Sequence, residues 1–372
     1  MSFPWPPATG SRLLFVLIAK EMKGMWAIGA DVHMKTTTFF AFDDEAKPVT
    51  DFNRMFKSVR SNKEGFLLVR MYLENIDYQI LMENSSKTHD VQWIWEEIGM
   101  NYIVAPSHEL KRITQSDSKT DKRDARELAT YMMARFAGAK QFHPCYMCSK
   151  EDMMNRQLCR TAKTYMVEIG KCKRRIRSHA LVYGIDLPKD VTTAKAKEIM
   201  RCMDDPIFNS IIGVMEDLEN HRDELLEIIK IRFQGNPIYE KILGIPYFGE
   251  ITAAYLTCFI CDINRFEGSK QFVASLGLAP RVRNSAETVS HCGITKKGDP
   301  HARWLLIQAT IGHVRNVKDS PVTLFFNKKN GGSIEMRKEL DEDRLMDRSA
   351  IVAASAKMAR IIYTLVVKDR VW

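Results

Sequence analysis

Trp26-Ala27-Ile28-Gly29-Ala30-Asp31 and Tyr78-Gln79-Ile80-Leu81-Met82-Glu83 decide how the N-terminal part of this chain reads. Each is a short, largely apolar run that ends in an acid. Runs of this length, bounded by polar segments, suit buried strands. A third run, Tyr102-Ile103-Val104-Ala105, stops at Pro106, and 36–42, rich in Thr and Phe, reads as the hairpin partner of the first. Helical spacing appears between the runs: at 62–75 through Phe66, Leu67, Val69 and Leu73, at 89–98, and at 121–136. Strand and helix therefore alternate over the first 140 residues, the pattern of an α/β domain with a mostly parallel sheet.

The acids at the strand ends carry the chemistry. Side chains at the carboxyl ends of strands project into the crevice where open α/β sheets bind ligands. Asp121 and Asp124 are three residues apart on the first turn of a helix and share a face. Converging carboxylates raise one another's proton affinity unless a cation neutralises them. Mg2+, or Mn2+ in its place, suits an oxygen-rich ligand set and supports phosphodiester chemistry. Taken singly, each acid has an ordinary explanation as a strand end or a favourable helix start. His33, two residues after Asp31, could line the same crevice, though a lone histidine is more often structural.

The rest of the chain divides by character. Residues 1–24 read as an extension and 25–140 as the α/β domain. Residues 141–235 read as a basic helical arm, and 236–372 as a mostly helical C-terminal domain, so the fold class is α/β followed by α. Over 150–177, Lys and Arg outnumber acids nine to three, and Arg156, Arg160, Lys163, Lys171 and Arg174 form a stripe that could track a nucleic-acid backbone. Ile211, Val214, Leu218, Leu225 and Ile228 fit the seam of a short coiled coil. Leu243-Gly244-Ile245-Pro246-Tyr247-Phe248-Gly249 resembles a helix-hairpin-helix turn, whose backbone can approach a DNA phosphate. A basic loop near 279–303 holds Ser285 among Arg281, Arg283, Lys296, Lys297 and Arg303, cations able to stabilise a phosphate under attack.

Composition narrows the function. The net charge of +9 in 372 residues favours polyanionic partners, nucleic acid first. The longest unbroken apolar run, 13–19, has seven residues, short of a membrane span, and the expected location is cytoplasmic and nucleoid-associated. Eight cysteines are too sparse for a disulfide scaffold, and the two CxxC pairs, at Cys145 and Cys148 and at Cys258 and Cys261, lie too far apart in sequence to read as one zinc motif.

Three motifs together resemble the insertion-sequence transposases that combine a DEDD acidic set with a catalytic serine, the group that includes the Piv invertase and the bridge-RNA-guided recombinases. They are Ile28-Gly29-Ala30-Asp31-Val32-His33-Met34-Lys35, Lys119-Thr120-Asp121-Lys122-Arg123-Asp124-Ala125, and Gly277-Leu278-Ala279-Pro280 with Ser285 and 293–303. The resemblance implies an RNase H/RuvC-like first domain with Asp31, Glu83, Asp121 and Asp124 as metal ligands. It implies Ser285 as a nucleophile that forms a phosphoserine link to DNA, from the same or a neighbouring subunit. It also implies DNA element ends and target as substrates, a structured guide RNA as partner, and a dimer or tetramer. The expected activity is phosphodiester transesterification in transposition. The residues leave two other readings open: a metal-dependent junction nuclease with water as nucleophile, and an inactive nucleic-acid-binding relic.

Overall fold

The computed structural model describes residues 24–110, 121–139, 142–285, 288–339 and 346–372, with the backbone alone for 108, 282–285 and 288–292. The extension expected over 1–24 lies outside the described residues except for Gly24, as do Lys119 and Thr120 of the second motif and Ala286 after Ser285. The chain divides into two compact units, Met1–Cys148 and Ser149–Trp372.

The first unit runs β1 (Met25–Val32), β2 (Thr36–Phe42), α1 (Thr50–Met55), β3 (Val59–Arg60), α2 (Lys63–Tyr72), β4 (Asp77–Glu83), α3 (Thr88–Glu97), β5 (Tyr102–Ala105), the single turn α4 (Ser107–Leu110) and α5 (Asp121–Phe136). The five strands form one sheet in the order β3-β2-β1-β4-β5. β1 is antiparallel to β2, and β2 to β3, whereas β1 runs parallel to β4, and β4 to β5. The sheet is therefore half parallel, not mostly so. The short link from Val32 to Thr36 permits only an antiparallel hairpin and reverses β2, whereas β4 and β5 are each reached through a helix and run parallel to their neighbours.

Alternation along β1 assigns its two faces. Ile28 and Ala30 pack with Phe52, Phe66 and Trp95 from α1, α2 and α3. Ala27 joins Ala125, Leu128, Ala129 and Met132 of α5 on the opposite face. Gly29 lies on that α5 face too. A Cβ there would sit 2.0 Å from the Ala125 carbonyl oxygen and 2.5 Å from the Ala129 nitrogen, so the helix backbone rests directly on the strand.

The second unit begins with α6 (Lys150–Val182), capped by Ser149, whose hydroxyl accepts from the Asp152 amide. Then come α7 (Ala194–Cys202), α8 (Pro206–Phe233), α9 (Pro237–Leu243), α10 (Glu250–Ile260), a 3-10 turn (Ile263–Arg265) and α11 (Ser269–Ser275). A hairpin of β6 (Pro280–Ser285) and β7 (Thr288–Ile294) follows, then α12 (Pro300–Asn316), α13 (Pro321–Asn330), α14 (Ile334–Glu339) and α15 (Arg348–Val367). The hairpin corrects the expectation of an irregular loop near 279–303. Its side-chain pattern is polar, and the strands are defined by backbone pairing, including Arg283 with Ser290 and Ser285 with Thr288.

Across position 235 the core is continuous: Cys159 and Ala162 of α6 and Ile229 and Phe233 of α8 join Tyr255 and Leu256 of α10 and Met358 and Ile362 of α15. The far ends of α6 and α8 close a second cluster with α7, through Ile169, Cys172, Ile176, Ala196, Met200, Ile212 and Met215. Of the expected seam on α8, Ile211 and Leu218 pack against this cluster and Leu225 against the first. Phe208, Ile212, Met215 and Ile229 are buried, while Val214 is 53% and Ile228 40% exposed. Two apolar stripes overlap on α8, and the one with Phe208 and Met215 is the more deeply buried. α15 is long and apolar enough to cross a membrane, by length and composition only. Here Ala350, Ala354, Met358, Ala359 and Ile362 place it in the core of the unit.

α7 is tied to α8 by a buried cation. Lys197 Nζ lies 2.6 Å from Glu219 Oε2 and 3.6 Å from Glu216 Oε1.

Two stability predictions follow from these contacts. Gly29→Ala should lower the unfolding free energy by about 3 kcal/mol, because the added methyl forces α5 off β1. Thermal unfolding of the full chain checks this, and an unchanged Tm contradicts the close approach. Lys197→Met should cost about 2–3 kcal/mol by stranding Glu219, and Lys197→Met with Glu219→Leu should recover most of it in the same assay.

Candidate functional site

α5 carries the acids into place. Asp121, Ala125, Leu128 and Met132 follow helical spacing, and the last three are buried against the sheet. The stripe continues past the sheet edge into Asp121, with Asp124 beside it. Asp31 is two residues beyond Gly29 in β1, hence on the α5 side. Glu83 is two residues beyond Leu81, which also packs with α5. Strands β1 and β4 are adjacent and parallel, in register through Ala30 and Met82, so Asp31 and Glu83 leave the sheet side by side at the same end.

The closest approach joins Asp31, His33 and Asp121, whose ligand atoms all lie within 4.8 Å of one another. His33 Nε2 is 3.0 Å from Asp31 Oδ2 and 3.5 Å from Asp121 Oδ1. Burial pushes the Asp31 carboxyl above its ordinary value; His33 opposes the rise, while the charges of Asp124 and Asp121 add to it. A carboxylate held in this way among like charges is one that a divalent cation stabilises. The donor set of carboxylate oxygens with one imidazole fits Mg2+ or Mn2+. Of the four expected ligands, Asp31 and Asp121 fall within the tight group, Asp124 acts on Asp31 through its charge, and Glu83 is exposed at the neighbouring strand end. His33, set aside in the sequence as a lone histidine, belongs to the group because the turn after β1 brings it back over the strand end. Among the described residues, neither CxxC pair forms a comparable ligand group.

The hairpin of Ser285 is held at its root. The Thr295 amide donates to the Ala279 carbonyl at 2.9 Å, and the Lys296 amide to the Gly277 carbonyl at 3.1 Å. Gly298 adopts φ +140°, and a Cβ there would lie 2.0 Å from the Ser275 carbonyl oxygen. Arg303 Nη1 donates to the Leu276 carbonyl at 3.0 Å, so this cation anchors the root. Lys296, Lys297 and Arg281 are exposed. Ser285 occupies the last paired position of β6, and Arg283 the position two before it.

Asp299 is the node below that root. One oxygen caps α12 by accepting from the His301 and Ala302 amides at 2.7 and 3.1 Å. The other accepts from the buried Tyr255 hydroxyl at 2.7 Å, and Arg160 Nε donates to that same hydroxyl oxygen at 3.0 Å. Burial pushes the Tyr255 hydroxyl up, and the Asp299 charge adds to the rise. Neither Tyr255 nor Asp299 was singled out in the sequence, although Gly298-Asp299-Pro300 is a legible cap followed by proline at the first helical position.

The basic stripe of α6 divides. Arg156 donates to the Cys258 carbonyl through Nε at 3.1 Å and Nη2 at 2.7 Å. Lys163 Nζ lies 3.1 Å from His301 Nδ1 and 4.5 Å from the Trp304 ring centre. These two and Arg160 therefore face the helices of their own unit, because the first half of α6 packs on α10 and α12. Farther along, Lys171, Arg174, Arg175 and Arg177 are exposed.

Comparison with known proteins follows the same division. A DEDD transposase model of the IS110 kind matches residues 28–184, and the model described as "Transposase IS116/IS110/IS902 family" matches 239–323. The chain is 29% identical over 180 residues to the transposase for insertion sequence element IS1111A of Coxiella burnetii, covering 48% of this chain and 44% of that protein. It is 26% identical over 145 residues to the transposase for insertion sequence element IS1328 of Yersinia enterocolitica, covering 37% and 43%. A probable family 20 transposase of Pseudomonas aeruginosa is 29% identical over 101 residues, covering 27% and 30%. The matched stretches thus span less than half the length of each of these relatives. With the DEDD model on its first part and the second model on the segment that holds Ser285, the chain belongs to the IS110/IS116 family of transposases.

Proposed function

We propose that this chain is a DNA transposase that cleaves and rejoins the ends of a mobile element by phosphodiester transesterification. The observation that carries the reading is the meeting of a strand-end acid, Asp31, with a helix-start acid, Asp121, in a group whose like charges call for a divalent cation. The strand order β3-β2-β1-β4-β5 supports an RNase H/RuvC-like first unit.

Asp31, Glu83, Asp121 and Asp124 would hold Mg2+ or Mn2+, with His33 beside Asp31 and Asp121. Such an ion would supply Lewis-acid polarisation of a phosphate and stabilise charge on the departing oxygen. Ser285 is the nucleophile. Its Oγ forms a bond to phosphorus and gives up its proton, the bond from phosphorus to one deoxyribose oxygen breaks, and that oxygen takes up a proton. The bond energy stays in a phosphoserine ester until a second deoxyribose oxygen displaces the serine. Lys296, Lys297, Arg281 and Arg283 supply positive charge along the hairpin, and Arg303 holds its root. The exposed cations of α6, from Lys171 to Arg177, suit a nucleic-acid backbone, with element DNA and a structured guide RNA as the proposed ligands. The reaction pairs two DNA sites, which calls for at least a dimer.

Trapping tests the chemistry. With Mg2+, element-end DNA and RNA transcribed from its flank, the wild-type chain should give a denaturant-stable protein–DNA adduct. Ser285→Ala and Asp121→Asn should each abolish it. Mg2+-dependent nicking that survives Ser285→Ala would point instead to a nuclease with water as nucleophile. Thermal unfolding offers an independent check: Mg2+ at about 100 times its Kd should stabilise the first unit by about 2.7 kcal/mol. Asp31→Asn should remove that gain.

A further inference from the structure

The turn joining α9 to α10 passes through Ile245-Pro246-Tyr247-Phe248. Ile245 and Phe248 are 1% and 4% exposed and anchor it in the core. Between them Tyr247 has φ +70°, in the left-handed region, where a side chain carries a steric cost that glycine does not. The residue is 56% exposed. The penalty is therefore accepted by a side chain that does little for the core. Backbone strain of this kind gathers at functional positions.

The surroundings hold the backbone of the turn in place. The Phe248 amide donates to the Ile245 carbonyl at 3.0 Å. The fully buried His313 of α12 donates from Nδ1 to the Pro246 carbonyl at 3.0 Å and accepts at Nε2 from the Ser320 hydroxyl, at 2.8 Å. Tyr247 rests on α12 at Gly312. Arg315, three residues on and thus on the same side of α12, is exposed. The Trp372 ring meets His313 edge-on at 5.1 Å and is 38% exposed. An aromatic more than half open to solvent, on a turn whose backbone is anchored and with an exposed arginine one turn along the helix it rests on, matches how proteins hold an unpaired base. A protein partner would call for a wider apolar patch than a single exposed ring offers.

We propose that Tyr247 is a nucleobase-stacking residue: its ring takes the face of an unpaired base in the bound nucleic acid. This rests on the reading of the chain as a DNA-acting enzyme and adds a contact made to a base rather than to phosphate. Strand exchange requires bases to leave their pairs, and a turn fixed from below by His313 offers one of them a ready platform.

The test uses the full chain and three labelled probes of one mixed sequence: single-stranded DNA, single-stranded RNA and duplex DNA, read by fluorescence anisotropy. Tyr247→Gly should hold or raise Tm, because it relieves the strained φ, and should weaken binding to the preferred single strand about ten-fold. The dependence on salt should stay as in wild type, since no phosphate contact is lost. Tyr247→Phe should bind within about two-fold of wild type, since stacking needs the ring alone. The stronger of the DNA and RNA effects identifies the strand. Unchanged single-strand binding by Tyr247→Gly overturns the proposal, as does an equal loss on duplex. A fall in Tm together with binding assigns the ring to packing and also overturns it. Wild-type protein that binds none of the probes overturns it together with the DNA-acting reading, whereas normal wild-type binding that Tyr247→Gly leaves intact removes the stacking role alone.

Discussion

Backbone contact between α5 and β1 at Gly29 is the constraint on which the first unit depends. Hydrogen in place of a side chain lets the Ala125 carbonyl and the Ala129 amide lie against the strand. That fixes the height of the first turn of α5, and the first turn carries Asp121 and Asp124. Two unit charges at the 4.8 Å limit of the acidic group repel by about 3 kcal/mol at an effective dielectric of ~20, and less where Asp121 is open to water. Burial of Leu128 and Met132 supplies roughly 4 kcal/mol in the opposite sense. Packing and repulsion are thus of one size. The acids meet because the helix is bound to the sheet, and a divalent cation bound among them would offset their repulsion.

The second unit solves a comparable problem with hydrogen bonds. A polar hairpin has little apolar surface of its own to fix it, so its root is tied to the helices beneath. Asp299 does this with both oxygens, one on the start of α12 and one on Tyr255, which in turn accepts from Arg160 of α6. Gly298 and Arg303 close the same root from the other side. The first half of α6 is in this way part of the support for the segment that bears Ser285. Its second half carries Lys171, Arg174, Arg175 and Arg177 exposed to solvent.

Much of the first unit was legible in the sequence, because apolar runs bounded by polar residues are strong signals. The strands at Thr36–Phe42 and Tyr102–Ala105 and the helix at Asp121–Phe136 have the bounds that the pattern predicts. The acids at the ends of β1 and β4 were legible for the same reason. What failed did so where patterns compete or are faint. α8 carries two overlapping stripes, both with packed residues, and spacing alone does not say which is buried more deeply. β6 and β7 mix Arg, Asn, Ser and Thr with few apolar residues, so the loop-like composition hid strands held by backbone pairing. Arg156, Arg160 and Lys163 have the spacing of a solvent-facing stripe, yet their partners, Cys258, Tyr255 and His301, are about 100 residues or more away in sequence. No local rule reports a contact over that distance. His33 was visible but unweighted, since its value comes from the turn that folds it back between Asp31 and Asp121.

The most direct measurement is a titration of the full chain with Mn2+, followed by electron paramagnetic resonance of the free ion. Wild-type protein should take up Mn2+ with a defined stoichiometry. Asp31→Asn and Asp124→Asn should each lose most of that uptake, while Asp152→Asn, far along the chain in the second unit, should keep it. Mn2+ uptake by Asp31→Asn equal to that of wild type would contradict the placement of the metal at the junction of β1 and α5.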